Sequence, residues 1–161
     1  MITTILKLYQ REKDLREMIE FRKLAGLKVN EYDRVFAIVR SMRFNIKGVE
    51  RVKELAPSPD LFRKQQAWSR EGIWTQDKFD KEFVEEFLED LSHSKDSIDM
   101  LNFLYYLDKQ GDNICCICYC GTESMCHRSI IAGILQGTGA NVKVEDDYSK
   151  YYYRFKELLD S

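Results

Sequence analysis

Proline is scarce in this chain, with Pro57 and Pro59 the only two among 161 residues. So little proline, with no Ser- or Gly-rich tract to accompany it, leaves no room for a low-complexity linker or an internal repeat. No apolar run approaches the roughly 20 residues of a membrane span, so no membrane contact is expected. Positive charge is not in excess: 25 Lys and Arg against 27 Asp and Glu give a net charge of −2. A global basic field for nucleic acid is thereby excluded, while a local basic patch stays open. The opening residues, MITTILKLYQREKDL, lack a charged n-region and a small-residue cleavage site, so no secretory signal is expected. Walker loops, dinucleotide glycine motifs and serine elbows are missing too. Cysteine is absent from all but one short segment.

What is present suits an ordinary globular protein: 44% hydrophobic and 32% charged residues are enough to build and solvate a core. Residues 1–161 are expected to form a single α/β domain. The five cysteines are Cys115, Cys116, Cys118, Cys120 and Cys126. An odd number packed into one strand and loop is not a disulfide framework, and points to a reducing, cytoplasmic setting. Cys115 and Cys116 read as small core hydrophobes.

Element signals alternate along the chain. Residues 1–10, β-branched and apolar, fit an opening strand. Residues 12–25 place Leu15, Met18, Ile19, Arg22 and Ala25 on one helical stripe that Gly26 ends. The run RVFAIVR (34–40) looks like a strand buried on both faces. An irregular basic stretch follows, from Ser41 to Gly72, containing Trp68. Residues 77–91 are a helix, with Phe79, Phe83, Phe87 and Leu91 at four-residue spacing. A second helix is expected over 97–109, a strand through the cysteines, a helix carrying Ile130, Ile131, Ile134 and Leu135, a short strand over 141–145, and a docking helix over about 148–160. Strands alternating with helices predict a three-layer α/β domain with a largely parallel sheet and helices on both faces.

The working site is expected in NICCICYCGTESMCHRSIIAGIL (113–135), where a strand hands over through a loop to a helix start. Three chemistries compete there. In the first, the amides at the helix start, with Arg128, Ser129 and His127, hold a phosphate or carboxylate. Gly121 would let the ligand approach the backbone, and Arg40 and Arg43 would reach the same crevice if the 34–39 strand is a parallel neighbour. In the second, Cys126 is a reactive thiol activated by the helix start and by His127 and Arg128. The phosphatase spacing Cys-x5-Arg is missing, as is the redox Cys-x-x-Cys. In the third, Cys118, Cys120, Cys126 and His127 ligate zinc or iron. Against that stand the missing Cys-x2-Cys knuckles and the expectation that neighbours Cys126 and His127 point apart on a helix.

Three segments carry a family likeness: VKELAPSPDLFRK (52–64), WTQDKFDKEFVEEFLEDL (74–91) and CYCGTESMCHRSIIAGIL (118–135). Together they resemble the domain-of-unknown-function 488 family of bacterial and phage α/β proteins. Its members carry an Ala-Pro-Ser segment, an aromatic-rich acidic helix, and a strand ending in Cys, seven residues, then Cys-His-Arg. Here that last motif is Cys118, residues 119–125, then Cys126, His127 and Arg128. The likeness covers roughly residues 34–136. An arginine-bearing loop after an early strand is matched by Arg40-Ser41-Met42-Arg43, without the Trp-Pro-Arg-Gly version of other members. The resemblance implies the fold and nominates Arg40, Arg43, Cys118, Cys126, His127 and Arg128 as one cluster. It implies no reaction and no cofactor.

The leading expectation is binding of an anionic ligand, a nucleotide or a nucleic-acid phosphate, with Cys126 and His127 as the catalytic candidates and Arg128, Ser129, Arg40, Arg43 and Gly121 as the binding ones. The alternatives are a non-catalytic interaction protein of a phage or mobile element, and a metalloprotein of Cys118, Cys120, Cys126 and His127.

Overall fold

The structure, a computed structural model, describes residues 3–8, 18–43 and 45–161. Five strands form one sheet: β1 (Ile19–Lys23), β2 (Arg34–Ala37), β3 (Val49–Arg51), β4 (Ile114–Cys118) and β5 (Val142–Lys143). Their spatial order is β3-β2-β4-β1-β5, and every pair is parallel. The helices that follow β1 are α1 (Pro59–Arg70), α2 (Gln76–Lys78), α3 (Val84–Ser92), α4 (Lys95–Lys109), α5 (His127–Thr138) and α6 (Lys150–Leu159). They cover the sheet to give a three-layer α/β architecture.

β4 is the central strand and explains the cysteine-rich run. All five of its residues are buried, because a parallel strand with neighbours on both sides and helices on both faces has no solvated side. Its register sets Cys116 opposite Phe36 and Phe21, and Cys118 opposite Lys23. Cys115 and Cys116 are packing residues, as expected. Burial pushes the Cys115 thiol up to about 12 and raises that of Cys116 as well.

The first part of the chain departs from its sequence reading. Residues 3–8 are helical and exposed rather than extended. The helix expected over 12–25 is a strand from Ile19 onward, while residues 11–17 lie outside the described residues. Ile19 and Phe21 alternate into the core, and β1 pairs with both β4 and β5. Ladder bonds on both sides override the helical stripe. Glu20, on the intervening face, accepts a hydrogen bond from the Tyr32 hydroxyl.

The basic stretch from Ser41 to Gly72 is not irregular. It contains β3, a 3-10 turn (Lys53–Leu55) and α1. Ser58 caps α1 by accepting a hydrogen bond from the Leu61 amide at 3.1 Å, and Pro59 supplies a pre-set first helical residue. The helix expected over 77–91 runs from α2 through a π-helical segment (Phe79–Phe83) into α3. Its aromatic residues continue a ladder that starts at the two tryptophans before it. Trp68 stacks on Trp74 at 5.9 Å, Trp74 meets Phe79 and Phe83 edge-on, and Phe83 stacks on Phe87 at 5.9 Å. The tryptophans are therefore packing residues.

At the far end, α5 and α6 are in close contact. Gly133 lies under the Tyr148 backbone and Gly137 under the Tyr152 ring, leaving no room for a Cβ at either glycine. Tyr151 and Phe155 bury the inner face of α6 against the core.

Candidate functional site

The carboxyl ends of β1, β2 and β4 meet at one edge of the sheet. Ile38, just past β2, donates its amide to the Ile117 carbonyl at 3.0 Å, and Leu24, just past β1, donates to the Cys118 carbonyl at 3.1 Å. The chain leaving β4 turns through Cys120, Gly121 and a 3-10 turn (Glu123–Met125) before α5 begins. Glu123 anchors that turn. Its carboxylate is buried and accepts from the Tyr148 hydroxyl at 2.9 Å and the Glu145 amide at 3.2 Å. Both the loss of solvent and the adjoining carboxylate raise the Tyr148 pKa.

Under this loop three thiols and one imidazole converge. The Cys118 Sγ lies 3.3 Å from the Cys126 Sγ and 3.5 Å from the Cys120 Sγ. The His127 Nδ1 is 3.8 Å from the sulfurs of both Cys118 and Cys126. All four ligating atoms fall within 4.8 Å of one another. Cys118, Cys126 and His127 are buried, and Cys120 is half-buried. The expectation that Cys126 and His127 point apart fails for a local reason. Cys126 is the N-cap, with extended backbone at φ −119° and ψ 142°, so it is not rotated from His127 as two helical neighbours would be.

The hydrogen bonds fix the roles of these atoms. His127 Nε2 faces the Ile38 carbonyl at 2.6 Å. A carbonyl only accepts, so Nε2 carries the proton, and in the neutral ring the Nδ1 lone pair faces the sulfurs. The ring is also held edge-on to Phe87 at 5.9 Å, the last rung of the aromatic ladder. Cys118 shares hydrogen bonds with both neighbouring sulfurs, donating toward Cys120 and accepting from Cys126, and these contacts, with Arg128 nearby, lower its pKa. Burial and that same sharing raise the pKa of Cys126.

Above the cluster opens a cleft of about 420 Å³. Arg40 and Arg43 from the loop after β2, and Arg63 and Phe62 from α1, form its walls, with Tyr119 beside them. Cys118, Cys120 and His127 also line it. No carboxylate lines it among the described residues, although the whole chain carries a net charge of −2. The Arg40 Nε donates to the Pro57 carbonyl at 3.0 Å and so holds the Ala56–Ser58 segment at the rim.

The other nominated residues sit elsewhere. Cys126 is 1% exposed and does not line the cleft. Arg128 is 4% exposed; its Nη1 donates to the Cys120 carbonyl at 2.6 Å, and its Nε is buried with no hydrogen-bond partner among the described residues. Ser129 is fully buried and donates to the Cys126 carbonyl at 2.8 Å. Gly121 is exposed, with open space about it. Arg63, Phe62 and Tyr119 were not singled out in the sequence. The available signal for the first two was the Ser58-Pro59 helix start, which puts Phe62 and Arg63 within the first two turns of α1.

The chain matches the family model DUF488-N3a, described as the active DUF488-N3 subclade, over residues 23–139. It belongs to the DUF488 family. The matched span contains the Cys-x7-Cys-His-Arg motif, the arginine loop and α1, and therefore every wall of the cleft. No curated protein and no solved structure matches the chain. Among the described residues of this DUF488 protein, no helix is long and apolar enough to cross a membrane.

Proposed function

We propose that this protein binds a phosphate-bearing ligand of nucleotide type in the cleft above β2 and β4. The observation that carries the reading is the lining: three arginines and no carboxylate, in a chain of net negative charge. A concave site with one sign of charge and apolar walls focuses the potential on an anion. Its volume of about 420 Å³ suits a small organic molecule rather than an extended surface partner. Phe62 and Tyr119, 50% and 48% exposed, offer ring faces at the same cleft, together with Pro57 and Pro59. Exposed aromatic residues beside guanidinium groups favour a phosphate attached to a flat ring over a bare phosphate ion.

Arg43 would neutralise the phosphate most directly. It is exposed and has no hydrogen bond or ion pair to another described side chain, whereas Arg63 pairs with Asp60 and Arg40 is engaged by Pro57. Arg128 and Ser129 would act from below, by holding the loop that carries Tyr119 and Cys120.

Titration calorimetry with a nucleoside monophosphate tests this, with inorganic phosphate run in parallel. The Arg43→Ala protein should bind about 10- to 100-fold more weakly, the worth of one charge-assisted hydrogen bond. Phe62→Ala should weaken the nucleotide but leave inorganic phosphate unchanged. Equal nucleotide affinity in the parent and an Arg43→Ala/Arg63→Ala protein would sink the proposal.

A further inference from the structure

The geometry points to a second ligand below the cleft: we propose that Cys118, Cys120, Cys126 and His127 bind one zinc ion, tetrahedrally, through three sulfurs and the His127 Nδ1. This inference is independent of the nucleotide reading, since none of the cleft arginines takes part in it.

The distances carry it. Zinc binds sulfur at about 2.3 Å and histidine nitrogen at about 2.0–2.1 Å, so the edges of a regular tetrahedron are about 3.8 Å between sulfurs and about 3.6 Å from sulfur to nitrogen. Here two sulfur–sulfur edges are 3.3 and 3.5 Å, two sulfur–nitrogen edges are 3.8 Å, and the remaining two fall under 4.8 Å. A central ion needs adjustments of only a few tenths of an ångström along the measured edges.

His127 is set up as a ligand. Metal-bound imidazoles usually give their other ring N–H to a carbonyl or carboxylate, which fixes the tautomer and aims the free lone pair. The Ile38 carbonyl does this at 2.6 Å, and Phe87 fixes the plane of the ring. Thiols are weak hydrogen-bond partners, so a lone pair aimed at them satisfies little without a cation between. A Cys118–Cys126 disulfide would account for two of the four groups, and leave Cys120 and His127 converging on nothing.

The electrostatics also fit. On binding, three S–H bonds break, three protons pass to solvent, and three Zn–S bonds and one Zn–N bond form. The resulting centre carries one negative charge. Arg128, buried and joined to the backbone of Cys120, supplies the compensating positive one. Thiolate and imidazole ligands select zinc over magnesium, calcium or manganese. With all four positions filled by protein, the ion is structural, and what it holds is the Cys120–Cys126 loop that carries the cleft floor.

The test weighs the full chain, purified anaerobically without chelator, by native and denaturing mass spectrometry. The expected result is a native excess of one zinc ion, lost on denaturation. It should be kept in Cys115→Ser and Arg43→Ala, and lost in Cys120→Ser and His127→Ala. Because His127→Ala removes buried contacts, a second readout uses chelator-stripped parent protein titrated with cobalt(II). Sulfur-to-cobalt charge-transfer bands and intense tetrahedral d–d bands should appear in the parent and collapse in Cys120→Ser, whose altered side chain is half-exposed. A bare native mass with five free thiols and no cobalt bands would overturn the proposal. So would a mass two hydrogens short, which marks a disulfide, or iron in place of zinc. Zinc retained in an Arg43→Ala protein that no longer binds nucleotide would show the two sites to be separate.

Discussion

Replacing Gly133 with alanine should destabilise this protein by about 3 kcal/mol, the upper end of the usual cost of overpacking. In an exposed helix the same change is stabilising by up to about 1 kcal/mol, through helix propensity. Here the added methyl would overlap the Tyr148 carbonyl oxygen and come within 2.7 Å of its carbon and 2.9 Å of its Cβ. These are mainly backbone atoms and cannot swing away, so the segment leading into α6 must move. Tyr148 donates its hydroxyl to Glu123 and its amide to the Gln136 side chain, so the shift reaches the loop over the thiol cluster. At about 2–4 °C per kcal/mol for a chain of this size, the melting temperature should fall by about 6–12 °C. Gly121→Ala is the matched control, since a Cβ there meets nothing within 4 Å. Equal melting temperatures for the two variants would mean that α5 and α6 do not pack this closely.

Phe87→Ala should cost more, about 3–5 kcal/mol, the range for deleting a buried phenylalanine. The ring is 1% exposed, between Phe83 and His127, and its loss opens a void at the end of the aromatic ladder, under the imidazole. Phe87→Leu refills most of that volume and should cost under about 1.5 kcal/mol. The pair separates packing from positioning. If His127 needs the Phe87 edge to hold its orientation, Phe87→Leu will fold with near-parent stability yet bind cobalt(II) less tightly. Urea unfolding with unchanged m-values gives the stability half of the comparison. Parent-like stability in Phe87→Ala would contradict the buried ladder.

Much of the architecture was legible in the chain because its signals are long or redundant. The Phe79, Phe83, Phe87 and Leu91 stripe spans three turns, and the only cysteines sit where the central strand and its loop lie. β1 was not legible, because Ile19 and Phe21 fit both a two-residue and a helical period, and the deciding partners lie about 95 and 120 residues further on in β4 and β5. α1 was masked by its basic composition, although Ser58 and Pro59 announce its start. At the site, sequence brought the right segment into view but not the direction of its side chains. Whether Cys126 and His127 diverge or converge depends on whether position 126 is inside the helix or caps it, a choice made by the backbone of one residue. That Arg128 faces inward to the Cys120 carbonyl depends likewise on where the loop folds back.

The strand order also governs when the site can come into being. Of the four ladders, only β2–β3 joins segments close in the chain; the other three wait for β4 or β5. During synthesis, β1, β2 and β3 are all made before the strand that unites them. A ribosome-bound chain ending before residue 114 therefore has arginines and aromatic helices but, beyond the short β2–β3 pair, no sheet to hold them, and the free edges of β1 and β2 stay open to chaperones and to one another. Pairings of such long range slow folding and lengthen that exposure. The cleft and its thiol floor are thus among the last features to form, and arrive together once β4 slots between β1 and β2.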